Sequence, residues 1–146
     1  MKLKFLILVV LFVFSLNINA QSDTWRTLGM VTFETEYDVN FGMETKIPTL
    51  SPMVEQMSGQ EIEVEGYIIP LSGKVKQSHF MYSYLPPNMC FFCGKAGPES
   101  AMQVFMKDKK MVAYTDERIL LKGRLVINTA DLTIPMYSLE NAEIIE

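Results

Sequence analysis

Glu61-Ile62-Glu63-Val64-Glu65-Gly66-Tyr67-Ile68-Ile69-Pro70 decides the fold. Before Gly66 charged and apolar residues alternate, the pattern of a strand with one face in a core; after it the run is continuously apolar. A strand that changes character at a glycine is a strand that bends there, as strands that curl into barrels do. Ile119-Leu120-Leu121-Lys122-Gly123-Arg124-Leu125-Val126-Ile127, within a strand expected over 118–128, has the same construction with Gly123 in its middle. Between these two lie an aromatic-rich stretch over 79–85 and Ala101 to Met106, both suited to a pleated, partly buried surface. A last strand is expected over 136–145 and an early one over 28–33. Ser51 followed by Pro52, with Gly59 beyond, predicts a short helix over 51–57. The expectation is therefore all-β: a small OB-like (oligonucleotide/oligosaccharide-binding type) barrel of five or six strands with one short helix, since closure removes exposed edges. A β-sandwich is the alternative.

The first twenty residues are of another kind. Lys2 and Lys4 precede an unbroken apolar run from Phe5 to Phe14, and small and polar residues lead to Ala20. That is the pattern of a secretory signal peptide cleaved after Ala20. The run is about half the roughly 20 residues a spanning helix needs, so no stable membrane span is expected after cleavage. Residues 21–146 are then one β-barrel domain, periplasmic or secreted. Cleavage removes two lysines and takes the formal charge from −4 to −6. The basic cluster Lys107-Asp108-Lys109-Lys110 contains an acid and sits between apolar runs, so it reads as a solvated turn. Nucleic acid is not an expected partner.

Both cysteines of the chain fall in Tyr84-Leu85-Pro86-Pro87-Asn88-Met89-Cys90-Phe91-Phe92-Cys93-Gly94-Lys95-Ala96-Gly97-Pro98-Glu99. Prolines before and glycines after stop helix and sheet alike, which makes this a shaped loop between two strands. Three readings of the Cys-x-x-Cys pair stay open. A local disulfide suits an exported chain and would fix the loop for contact with an envelope protein partner. A transition-metal site would use Cys90, Cys93 and His79, the only histidine, with Glu99 or water completing it. Zinc shared between two copies, and Cu(I) with its preference for few soft ligands, belong to the same reading. A thiol–disulfide oxidoreductase would have Cys90 attack and Cys93 resolve, although the helix that lowers the first thiol in thioredoxin-like proteins is not expected here. Phe91 and Phe92 are expected to be buried, and Trp25 to pack the first strand onto the barrel. The scattered methionines fit core filling. Neither a Gly-x-Ser-x-Gly elbow nor a glycine-rich phosphate loop occurs, so beyond thiol exchange no enzymatic activity is expected.

Trp25, the Glu65-Gly66-Tyr67-Ile68-Ile69-Pro70-Leu71 strand, the Cys90-Phe91-Phe92-Cys93-Gly94 loop running on to Glu99, and Leu121-Lys122-Gly123-Arg124-Leu125 together resemble a domain-of-unknown-function family of small exported bacterial proteins. The resemblance covers the chain from about Trp25 to Glu143. It implies a periplasmic location and a part in handling transition metals beside a metal transport system, with Cys90 and Cys93 as the residues carried over. Relatives in other bacterial groups have one cysteine, a histidine and a proline run in this loop. Here the loop contains no histidine.

Overall fold

The computed structural model describes residues 24–39, 42–70 and 72–145. The stretch read as an export signal lies outside them. The chain begins with a one-turn helix, α1 (Thr24–Leu28), and a hairpin of β1 (Val31–Asp38) and β2 (Met43–Leu50). Helix α2 (Pro52–Met57) follows, with Ser51 accepting the Val54 N–H at its N-cap and Pro52 in its first turn. Then come β3 (Glu61–Ile69), β4 (Lys76–Gln77), β5 (His79–Ser83), β6 (Ala101–Met106), β7 (Val112–Ala113), β8 (Ile119–Ile127) and β9 (Tyr137–Ile145).

Five of these strands close into a barrel in the order β3-β5-β6-β9-β8. Every pairing is antiparallel except β6 with β9. Numbered along the chain the barrel runs 1-2-3-5-4, an OB-like arrangement, and the sandwich alternative is set aside because the sheet has no free edge. Outside the barrel, among the described residues, β4 pairs with β7 and β1 with β2.

Gly66 is where the barrel turns its corner. Residues Glu61 to Gly66 pair with β8, and Tyr67 to Ile69 pair with β5. One strand thus serves two neighbours, changing partner at the glycine. A Cβ at Gly66 would lie 2.5 Å from the Ser83 carbonyl oxygen and 3.0 Å from the Tyr82 ring, so the corner is too tight for a side chain. At Gly123 a Cβ would come within 2.9 Å of both the Glu140 carbonyl and the Leu139 side chain. There β9 carries an extra residue: Lys122 faces Glu143 while Arg124 faces Glu140, and Asn141 absorbs the bulge at φ 51°.

Ile62, Val64, Ile68, Phe80, Tyr82, Met102, Val104, Leu121, Leu125, Tyr137 and Leu139 fill the interior, with Leu28 of α1 and Val54 of α2 packed against them. The early segment differs from expectation. Trp25 and Leu28 belong to a helix, and the strand starts at Val31 and continues to Asp38. The Trp25 indole N–H donates to the Glu65 carbonyl at 2.8 Å, Thr24 Oγ1 donates to Glu63 O, and Tyr137 OH donates to Leu28 O at 2.7 Å. Helix α1 is therefore fastened to two barrel strands by its own backbone and side chains. The basic stretch Lys107–Lys109 forms the expected exposed turn, and Lys107 pairs with Glu143 across the surface.

Replacing Gly66 by alanine is expected to lower unfolding free energy by about 1–3 kcal/mol, the usual range for overpacking a tight site. Urea denaturation checks it: the midpoint falls while the slope stays constant.

Candidate functional site

The Cys-x-x-Cys loop joins β5 to β6, and its two ends are clipped together. Tyr84 N–H donates to Ser100 O at 3.0 Å, and the buried Ser83 hydroxyl donates to the same oxygen while accepting the Leu85 N–H. Pro86 and Pro87 have no N–H to offer a neighbouring strand. Met89 N–H closes a turn on Pro86 O, and a 3₁₀ turn over Phe91–Cys93 follows. Gly94 ends that turn at φ 70°, a left-handed cap that glycine takes without strain. A second 3₁₀ turn, Pro98–Ser100, delivers the chain to β6.

This geometry turns both thiols toward one acceptor. Cys90 donates to the Pro87 carbonyl at 3.4 Å and Cys93 donates to the same oxygen at 3.0 Å. Both are free thiols. Cys90 is 1% exposed, whereas Cys93 faces solvent. The accessible sulfur is thus the second of the pair, the reverse of the order expected for an attacking Cys90. Local desolvation first, and then the Cys90 thiol beside it, push the Cys93 thiol above its ordinary range, with Lys95 pulling weakly the other way. The pair is placed for shared chemistry, but nothing around it makes Cys93 a strong nucleophile at neutral pH.

The other expected ligands stand apart. His79 opens β5, at the end away from the loop, and stacks on its cross-strand neighbour Phe105 with ring centroids 4.2 Å apart. Four strand steps of about 3.3 Å each separate it from Ser83, where the loop begins. Glu99 belongs to the loop but lines a small pocket with Trp25 and Tyr84 that includes neither cysteine. Among the described residues no group of three His, Cys, Asp or Glu side chains is placed to hold one metal ion. A closed four-ligand zinc site of the structural type is therefore not formed by these residues alone.

Phe91 and Phe92 are not buried as expected. They pack edge to face, 5.3 Å apart, and are 38% and 42% exposed. Together they wall a cleft of about 550 Å³, within the size range of small-molecule sites. Phe33 and Pro48 of the hairpin form a second wall, Leu132 and Ile134 of the β8–β9 connection a third, and Met81 of β5 also lines it. The second and third barrel strands, β5 and β6, contribute to it through Met81 and Ala101. Sequence reasoning missed this cleft because its walls come from three separate regions of the chain. The one local signal was a pair of aromatics held between two cysteines.

A scan against protein-family models and searches of curated proteins and solved structures each return no match for this chain.

Cys93 should react with iodoacetamide in the native protein, and Cys90 should not. The alkylation rate is expected to rise with pH through a midpoint above the ordinary thiol value of about 8.5. Cys90→Ser should lower that midpoint, since the Cys90 thiol is one of the groups holding it up.

Proposed function

We propose that this protein is an exported binding module in which Cys90 and Cys93 together take one thiophilic transition-metal ion. The observation that carries the reading is the convergence of both thiols on the Pro87 carbonyl, which sets two sulfurs on one side of a stiffened turn. Two thiolates from one turn of backbone are half of a tetrahedral zinc site and a complete pair for Cu(I). The exposure of Cys93 supports completion from outside the chain, by a second copy's pair or by a partner of the envelope. No step of catalysis is needed. His79, stacked on Phe105, has no part in this reading.

A second reading rests on the same proximity: in an oxidising compartment the pair closes into a local disulfide that fixes the loop and its two phenylalanines for a partner. Thiol exchange as an enzymatic activity is the least supported, because the accessible thiol is held above its ordinary range.

Protein purified under reducing conditions and loaded with zinc or Cu(I) tests the proposal. It should retain about half an equivalent of zinc per chain if two copies share a site, or about one equivalent of Cu(I). The double variant Cys90→Ser/Cys93→Ser should retain neither metal, while His79→Ala should bind as the parent does. Retention by the double serine variant would overturn the assignment, as would loss on changing His79. If protein isolated without reductant shows no free thiol and takes no metal after reduction, the local disulfide is the correct reading.

A further inference from the structure

Glu99 is the charged side chain of the loop that the dithiol does not use. A carboxylate drawn away from water needs donors, and leaving one unmet is costly. Oε2 of Glu99 is sealed from solvent and meets no hydrogen-bond donor. Its position is set by the turn beneath it: a Cβ at Gly97 would overlap the carboxylate, so the glycine is what lets the side chain fold back. Burial pushes the Tyr137 hydroxyl above its ordinary range, and the charge of Glu99 adds to that shift.

The carboxylate borders a pocket of about 240 Å³ whose other lining residues are Trp25, Arg26, Gly29, Tyr84 and Ser100. The rings of Trp25 and Tyr84 are 6.1 Å apart at 46° and make two of its walls. The Trp25 ring is held by its indole bond to Glu65 O, and the Tyr84 ring packs on Trp25 with the Arg118 guanidinium 5.8 Å from its centroid, so a ligand would share that ring with a resident cation. Aromatic faces attract cations, tryptophan most strongly, and the negative charge of a carboxylate bordering the pocket does the same, although its sealed Oε2 is out of a ligand's reach. An anion would be repelled by Glu99. A wholly apolar ligand would leave the carboxylate without any partner. A hard metal ion needs several oxygens, carboxylates foremost, and Glu99 is the one carboxylate among the lining residues. Arg26 borders the pocket, is exposed, and takes part in none of the ion pairs among the described residues.

We propose that Trp25, Tyr84 and Glu99 form a binding site for a small organic ammonium cation, with the rings receiving its alkyl groups and the carboxylate its charge. The site is separate from the dithiol and stands whether or not metal binds there.

Trp25 is the single tryptophan of the chain, so its emission reports on the surroundings of this one ring. The purified chain is titrated with tetramethylammonium chloride, choline chloride and N-acetyl-lysine methylamide, each against sodium chloride at matched ionic strength. A saturable emission change with half-saturation on the order of 1 mM is expected for at least one cation and none for sodium. Preference for choline over the lysine derivative marks a methylated head group as the natural ligand, and the opposite order a primary amine. Glu99→Gln should weaken binding about tenfold while the circular dichroism spectrum stays that of the parent and the melting temperature does not fall. Gly97→Ala, which displaces the carboxylate by another route, should weaken it similarly, and Arg26→Ala should retain it. No saturable change, or equal binding by parent and Glu99→Gln, would overturn the site. Binding seen only in Arg26→Ala would also overturn it, since the chain's own guanidinium would then be the occupant.

Discussion

The architecture depends on the double pairing of β3. A closed barrel of five short strands leaves one strand to bridge two neighbours that diverge, and that strand has to turn sharply without losing its hydrogen bonds. Gly66 allows this because the Ser83 carbonyl and the Tyr82 ring occupy the space a side chain would need. The corner also orders what surrounds it. Tyr82 donates its hydroxyl to the Ile119 carbonyl, tying β5 to β8 where β3 passes between them. Burial pushes that hydroxyl far above its ordinary range, so it stays a donor at all working pH values.

From that corner the chemistry-bearing groups follow by short steps. Glu65, just before Gly66, accepts the Trp25 indole and so fixes α1. Ser83, opposite Tyr67, begins the loop and clips its far end at Ser100. The dithiol and the Trp25–Tyr84–Glu99 pocket thus hang from the same stretch of backbone, although they use different side chains. Their surroundings differ in kind. The thiols sit in a turn held by backbone hydrogen bonds and a left-handed glycine, whereas the pocket is held between a helix and a strand end.

The barrel strands could be read from the chain because alternation before Gly66, apolar runs after Gly66 and around Gly123, and aromatic-rich stretches are bounded by strong turn residues. Ala101–Met106 stands where its pattern put it, and the ends of β3, β8 and β9 moved by a residue or two. Ser51 and Pro52 were sufficient to mark α2. The hairpin of β1 and β2 was not legible beyond its first residues. Its outer half, including Tyr37 and Met43, is exposed, so neither face carries the alternation that burial imposes. Helix α1 was missed for a related reason, since a single turn has too few residues to show a helical period. The cysteines were legible as a pair, but their surroundings were not. Which of the two is open to solvent, where His79 points and what Glu99 meets are all decided by contacts across the fold.

The shared acceptor of the two thiols has a consequence for how the loop reports its own state. Pro87 supplies one carbonyl, and its lone pairs are engaged only while both sulfurs carry hydrogen. Oxidation removes two electrons and metal capture only the two protons, yet each strips both donors from that oxygen together. The turn from Pro86 to Met89 therefore loses the same two hydrogen bonds whichever chemistry the sulfurs undergo.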